Sequence, residues 1–164
     1  MSHNQPAERR RGLWALIDRV FNLETISGDG LCPVYLYRWT LLRAFVFRIY
    51  LHKFIAEDWS KDHHDHPWHC ISIGLKGSYL EEVIKQQRWG TSLEFHHYRA
   101  PWVRYFPPTH RHRVSGPTPE KPCWTMVIVS RPRRAWGWWL DNHTWVHWRA
   151  YVGSDRAKQA KACQ

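Results

Sequence analysis

The chain reads Lys61-Asp-His-His-Asp-His-Pro-Trp-His-Cys70 and continues into an apolar, strand-like run, Ile71 to Leu75. Two histidines, His64 and His66, stand two residues apart at the entry to this run. Alternate side chains of a strand share one face, so both imidazoles can point at one metal ion. The spacing therefore predicts a metal site at the start of a β-strand.

A third metal ligand must come from elsewhere in the chain. The sequence Phe106-Pro-Pro-Thr-His-Arg-His-Arg-Val114 offers two histidines of equal parity, His110 and His112. A metal ion held by three protein nitrogens keeps open coordination positions, as reactive metal sites do. A structural metal site normally has four protein ligands. Imidazole binds zinc, copper, nickel and iron alike, so the pattern leaves the metal open. The alternative is that a chain with 12 histidines produces His-x-His by chance or as a polar strand edge.

The two histidine segments resemble the signature motifs of the cupin superfamily. The first motif is His-x-His followed by an acidic position and a glycine, and the second is Pro-x-Gly-x-x-His. His64, His66 and Gly77 match the first motif, and Pro107 and His112 match the second. The resemblance implies a three-histidine metal site inside a β-barrel.

The sequence departs from the cupin pattern at three positions. The acidic position falls on Cys70, the glycine of the second motif is Thr109, and Gly116 stands where an asparagine often follows. The resemblance therefore does not supply the usual fourth, carboxylate ligand. Because the spacing of the second motif ends on His112, the resemblance selects His112 over His110 as the third ligand.

Composition favours a single all-β domain. The 164 residues are 43% hydrophobic and 15% aromatic, with 12 tryptophans, which is enough to bury a core. Ten prolines and nine glycines separate short apolar runs, as in barrels and sandwiches. The resemblance, over roughly residues 34 to 150, implies the cupin double-stranded β-helix, a jelly-roll barrel. The predicted strands are 34–39, 45–55, 68–75, 78–86, 93–98, 103–106, 124–130, 135–140 and 144–151.

Residues 1–30 are predicted to be a basic segment followed by an amphipathic α-helix that packs on the barrel. Arg9-Arg-Arg11 precedes apolar residues at a helical spacing, and Gly28-Asp-Gly30 ends the pattern. A helix on a membrane surface is the less favoured alternative. Residues 31–152 are predicted to form the barrel and residues 153–164 a polar, frayed tail. The apolar helical positions are Leu13, Trp14, Leu16, Ile17, Val20, Phe21 and Leu23.

The cysteines and the apolar stretches indicate a cytoplasmic protein. Cys32, Cys70, Cys123 and Cys163 show no Cys-x-x-Cys spacing, and no signal peptide precedes them, so a disulfide framework is not expected. No apolar stretch is long enough to cross a bilayer, because basic residues interrupt the segment 41–55. We therefore expect no membrane partner.

The net charge of +10 favours anionic partners. Basic residues cluster at 9–11, 111–113 and 131–134. Weak binding of nucleic acid through this surface is one hypothesis, although the charge is scattered and belongs to no DNA-binding motif. The other is a small carboxylate or phosphate substrate held by an arginine fork. Arg38 and Arg43 lie in otherwise apolar segments and are the candidates, unless both point outward to solvent.

A second resemblance concerns the chemistry. The string His64-Asp-His66, then His69-Cys70 and Gly77, is similar to that of the thiol dioxygenases, a cupin family that uses three histidines on ferrous iron. Arg38 stands 64 − 38 = 26 residues before the first histidine, where those enzymes place an arginine for the substrate carboxylate. This resemblance implies one divalent transition metal, with Fe(II) favoured and Zn, Ni or Mn as alternatives. Cys70 is then either a catalytic residue or a small buried hydrophobe.

Other candidate residues follow from the predicted barrel. One of Glu81 and Glu82 must face inward. If the metal is zinc or nickel, Glu81 is our candidate for the general base. Tyr50, Trp68 and Trp124 are candidate walls of the substrate pocket, with core packing as the alternative role for each.

The sequence thus predicts a metal-dependent cupin, an oxygenase-type or isomerase-type enzyme acting on a small anionic substrate. The hypothesis from another class is a non-catalytic binding module for a small ligand or nucleic acid. A homodimer is implied by the cupin resemblance alone.

Overall fold

A computed structural model of the protein describes residues 17, 20–27, 33–141 and 143–159. Within these residues the chain forms twelve strands and two short helices. The strands are β1 (Leu23–Ile26), β2 (Leu36–Arg43), β3 (Phe47–Phe54), β4 (His63–His64), β5 (Cys70–Lys76), β6 (Ser78–Gln87), β7 (Gly90–Arg99), β8 (Trp102–Phe106), β9 (Arg111–Ser115), β10 (Cys123–Ser130), β11 (Gly137–Leu140) and β12 (Thr144–His147). The helices are α1 (Trp148–Tyr151) and α2 (Asp155–Gln159).

The strands form two antiparallel six-stranded sheets. The first sheet has the order β1-β2-β3-β10-β5-β8, and the second has the order β12-β11-β4-β9-β6-β7. Consecutive strands often lie in different sheets, as in a jelly roll. The predicted all-β class is confirmed, and each predicted strand has a counterpart with shifted ends.

The central strand β10 shows which side chains face the interior. Val127 lies opposite Tyr50 of β3 and Ser72 of β5, and Val129 lies opposite Cys70. These five side chains are buried. The inward face of the first sheet therefore carries alternate residues of β3, β5 and β10, as the strand period requires.

The turn predicted at Gly77 is present between β5 and β6. Gly77 has φ +83°, a left-handed conformation that side chains with a Cβ rarely adopt. A Cβ here would also collide with the backbone oxygen of Pro122. The glycine is thus required by both the backbone conformation and the available space.

The chain crosses between the sheets where the sequence predicted one strand. β4 ends at His64 in the second sheet, and β5 begins at Cys70 in the first sheet. His66 therefore lies in the crossing and shares no strand with His64. Pro67 helps to explain the break, since proline has no N–H to donate to a β-ladder. The prediction that His64 and His66 share one strand was therefore wrong, whereas Cys70 is buried at the start of β5.

The two ends of the chain are described only in part. Ile17 and Val20 are helical, whereas Leu23 belongs to β1 and lies opposite Trp39, so its place in the predicted helix was wrong. Phe21 lies in the turn before β1, and the remaining positions of that helix, Leu13, Trp14 and Leu16, fall outside the described residues. The predicted polar tail is packed at its start, because α2 buries Ala157 fully. The domain boundaries stay predictions.

No helix in the described part of the chain has the length and apolarity that a membrane crossing needs.

Candidate metal centre

Three imidazoles converge between the sheets. The ring centroids of His64, His66 and His112 are 4.9 to 5.0 Å apart in all three pairs. The Nε2 atoms of His66 and His112 lie 2.8 Å apart, and one nitrogen from each ring falls within 4.8 Å of the others. Ligand nitrogens bound to one transition metal have separations of this order, given metal–nitrogen bonds of about 2 Å.

Strand pairing and one buried carboxylate position the first two histidines. His64 lies opposite His112 across the β4–β9 ladder. Asp65, between His64 and His66, is fully buried, and its Oδ1 accepts the N–H of Gly137 at 2.9 Å. Its Oδ2 accepts from the Arg134 guanidinium at 2.9 Å. The crossing between the sheets is therefore fixed at its first residue.

A second buried carboxylate fixes His112. Oε1 of Glu81 accepts from Nδ1 of His112 at 2.6 Å and from Nε2 of His110 at 3.1 Å. Oε2 of Glu81 lies 2.6 Å from the Arg104 guanidinium. With its Nδ1 proton held by Glu81, His112 presents the lone pair of Nε2 toward His66.

Glu81 stays ionised despite its burial. Burial alone would raise the pKa of Glu81, but hydrogen bonds from His110 and His112 and the Arg104 charge hold that pKa well below its usual range. Glu81 does not line the cavity, and its oxygens are occupied. The prediction that Glu81 is a general base was therefore wrong, because its side chain supports a histidine from behind.

A third carboxylate, Asp58, lies behind His64. Its Oδ2 accepts the N–H of Val114 at 2.8 Å and is 3.7 Å from Nδ1 of His64. Burial raises the pKa of Asp58 to about 6. Sequence reasoning missed this residue, because it precedes the histidine motif in an irregular segment.

The histidines have the protonation state that a metal requires. Burial lowers the pKa of His64 and of His66 well below the usual value, and the neighbouring imidazoles lower both further. Both rings are consequently neutral at pH 7. Neutral imidazole is the form that binds metal ions.

The histidines open into an inner cavity of about 110 Å³. Four predicted residues line it: Arg38, Tyr50, Trp68 and Cys70. Sequence reasoning missed His52, which also lines the cavity and accepts from Nε of Arg38 at 3.1 Å. His52 has the same strand parity as Tyr50, and that signal was available in the sequence.

A larger space of about 360 Å³ adjoins the inner cavity, and six residues line both. We call it the tryptophan vestibule, because it is lined by Trp59, Trp68, Trp136, Trp138 and Trp148.

The comparisons with known proteins bear on the fold. No family model matches the chain, and no curated protein does. Among solved structures, DMSP lyase DddQ from Ruegeria pomeroyi has a TM-score of 0.55 and 14% identity, over 75% of this chain and 63% of that protein. KdgF from Halomonas sp. has a TM-score of 0.49 and 14% identity, over 72% and 94%. A sugar phosphate isomerase of the cupin superfamily from Silicibacter pomeroyi has a TM-score of 0.46 and 15% identity, over 63% and 65%.

The two antiparallel sheets and the match to DddQ identify the architecture. The chain has the cupin fold. At 14% identity the likeness shows the fold alone. The chain spans less than two thirds of the length of DddQ and of the isomerase.

Two predicted substrate contacts lie outside the cupin barrel. Arg43, at the end of β2, is exposed, and its Nη2 is 3.8 Å from Glu24. Trp124 stacks on Trp39 at a centroid distance of 5.7 Å and faces away from the cavity. Thr125, the next residue of β10, points into the cavity instead, as the regular alternation of the strand requires. Both predictions were wrong.

Cys70 lines the cupin cavity as an uncharged thiol. Burial raises the pKa of Cys70 to about 12, so a thiolate ligand is not expected at neutral pH. Cys70 belongs to neither group of converging metal-capable donors among the described residues. Its catalytic role stays a prediction.

Two neighbouring histidines, one of them the alternative His110, do not join the three converging rings. His110 points to Glu81 and not to His64 or His66. His63 lies with Nε2 3.7 Å from Glu82, away from the three converging rings. Glu81, His110 and His112 form a second group of converging donors. Because Arg104 already neutralises Glu81, a second cation is disfavoured there, and this group supports the first.

Proposed function

We propose that this cupin is a metal-dependent enzyme that acts on a small anionic molecule, with an oxygenase-type reaction as the first candidate. The observation that carries the proposal is the convergence of three imidazoles, two of them neutral through burial, at one wall of the inner cavity. Three nitrogen ligands that face a cavity suit a reactive metal better than a structural one.

His64, His66 and His112 would hold one divalent transition metal. The set fits iron, zinc, nickel or manganese, and the absence of a carboxylate among the three donors favours imidazole-binding ions such as Fe(II). A ferrous ion bound there would supply oxygen activation, and a zinc or nickel ion would supply Lewis-acid chemistry.

Arg38 is the proposed anchor for the anionic group. Its guanidinium lines the cavity, and it is kept in place by its hydrogen bond to His52 and by the Tyr50 ring, 5.1 Å away. Burial, with the Arg38 charge, lowers the pKa of His52 well below the usual value, so His52 is a neutral acceptor. A cavity of about 110 Å³ holds about four waters, which limits the part of the substrate beside Arg38 to a few heavy atoms.

An isomerase-type reaction is the second candidate, and Asp58 is the observation that favours it. This carboxylate lines the inner cavity and the tryptophan vestibule, and its pKa of about 6 lies near the working range of a general base. The oxygenase candidate needs no such base.

The test uses iron-loaded protein prepared without oxygen and exposed to nitric oxide. We expect the wild type to give the EPR signal of a ferrous nitrosyl centre and His64→Ala to lose it. Added acetate should change the signal in the wild type and in Arg43→Gln, whose arginine is on the surface, but not in Arg38→Gln. A wild type that binds no iron, or an acetate response that survives in Arg38→Gln, would contradict the proposal.

A further inference from the structure

We infer that the substrate of this site is a carboxylate with an uncharged apolar group, and that the tryptophan vestibule binds that group. The inference rests on the proposed function, since it takes Arg38 as the anchor of the carboxylate. It adds a second binding region and a chemical class of substrate.

The vestibule and the inner cavity share part of their lining. Six residues line both spaces, and they include Arg38 and the metal-site histidines His64 and His66. Because Arg38 faces both spaces, a molecule that is bound there and is longer than the inner cavity would extend past the histidines into the vestibule. The volumes agree with this arrangement, because the vestibule measures about 360 Å³ and the inner cavity about 110 Å³.

The vestibule presents aromatic surface to such a group. Trp136 and Trp148 are half-buried and stack with centroids 5.9 Å apart and planes 12° apart. Trp68 is parallel to His66 within 16° and lines both spaces, so an indole face continues from the histidines outward. Indole rings are rigid and bury much area, which makes them suitable walls for an apolar group.

Indoles also bind organic cations, but the charges of the vestibule argue against a cation here. Arg38 on the wall repels a positive group. Asp58, the acid on the same wall, already accepts the Val114 N–H and faces His64. An uncharged group is not repelled by Arg38, and it does not need an acidic partner.

The test measures the affinity of three probes for zinc-loaded full-length protein by calorimetry. Acetate carries the head group alone. The other two, 4,4-dimethylpentanoate and the betaine of β-alanine, have the same shape and differ in the charge of the tail. We expect 4,4-dimethylpentanoate to bind about tenfold more tightly than acetate, and more tightly than the betaine, because its tail buries apolar surface.

Two tryptophan variants locate the effect. Trp148→Ala should remove the advantage of 4,4-dimethylpentanoate over acetate. Trp89→Ala is the matched control, because Trp89 is 89% exposed at the β6–β7 hairpin, and it should leave all three affinities unchanged. Circular dichroism of both variants verifies the fold.

Each remaining outcome overturns a different statement. Equal affinity for acetate and 4,4-dimethylpentanoate would overturn the vestibule inference and leave the proposed function standing. Tighter binding of the betaine would replace the apolar group with a cation. An advantage that survives in Trp148→Ala would place the tail elsewhere. Absence of binding for all three carboxylates would overturn the anionic substrate of the proposed function, and the inference with it.

Discussion

Two carboxylates stand behind the histidines, and they differ in their surroundings. Glu81 is fully buried, accepts from His110 and His112, and pairs with Arg104. Asp58 is also buried, but it accepts one backbone N–H and lies 3.7 Å from His64. The pKa of Glu81 is held well below its usual range, whereas burial raises the pKa of Asp58 to about 6.

The difference shows how a buried acid can be made to position a metal ligand. Burial opposes the charge of either acid, and only for Glu81 do hydrogen bonds from His110 and His112, together with the Arg104 charge, reverse that effect. An ionised Glu81 fixes the tautomer and the direction of the His112 ring. Asp58 is partly protonated near pH 6 and holds His64 through a longer contact. We infer a rigid side of the centre at His112 and a looser side at His64.

Glu81→Gln should have the largest effect. The amide removes the charge that compensates Arg104, whose side chain is 13% exposed, and a buried ion pair that loses one partner costs about 3–5 kcal/mol of unfolding free energy. The zinc affinity should fall by about 10-fold to 100-fold, since an outer partner of a ligand is lost. Urea unfolding of the metal-free protein and competition with a chelator measure the two effects.

Replacing Arg104 as well should separate stability from positioning. In the double variant Glu81→Gln with Arg104→Met, no buried charge is left unpaired, so about 1–3 kcal/mol of the lost stability should return. The zinc affinity should stay as low as in Glu81→Gln. Recovery of both quantities would contradict a positioning role for the Glu81 carboxylate.

Asp58→Asn should have a smaller effect on both quantities. The amide oxygen can still accept the Val114 N–H, and the lost charge was already disfavoured by burial. We expect a change in unfolding free energy of about 1 kcal/mol or less and a zinc affinity within about tenfold of the wild type. An effect equal to that of Glu81→Gln would remove the distinction between the two sides.

His52 offers the most specific test, because it is a buried base beside a like charge. Its folded pKa lies below that of the unfolded chain, so the unfolded state binds more protons as the pH falls below about 6.5. Stability present above that pH is therefore lost on acidification, by up to about 1.4 kcal/mol per pH unit for this residue. Metal-free His52→Gln should lose stability less steeply than the wild type between pH 6.5 and 5 in urea titrations. Parallel slopes would show that His52 is not held neutral.

Much of the fold was predictable. The alternation of apolar and polar residues, and the glycines that separate the apolar runs, identified the strands with the longest ladders. The strands that escaped prediction were β1, β4 and β9, and two of these carry His64 and His112. Both are short and rich in histidine and arginine, so they lack the apolar alternation that marks a half-buried strand. The motif resemblance therefore located the histidines where periodicity could not.

The rest of the site depended on long-range contacts. Arg38 was found through the resemblance to the thiol dioxygenases, and His52 would have followed from its parity with Tyr50. Trp124 failed because the alternation of β10, which places Trp124 on the outer face, was not applied to it. The role of Glu81 depends on Arg104, 23 residues later in the chain (104 − 81 = 23), and on the pairing of β6 with β9.

Several expectations stay predictions after the structure. They are the cytoplasmic location, the homodimer, nucleic-acid binding through the basic surface, and the identity of the metal.

Metal analysis is the most direct test of whether His64, His66 and His112 bind one metal ion per chain. Protein purified, stripped and reconstituted with Fe(II) or Zn(II) would be compared with His64→Ala, His112→Ala and the control His97→Ala, in which the replaced histidine is exposed on β7. We expect about one ion per chain in the wild type and in the control, and loss of that ion in the other two variants. Metal retained in His64→Ala and His112→Ala, or no metal in the reconstituted wild type, would contradict it.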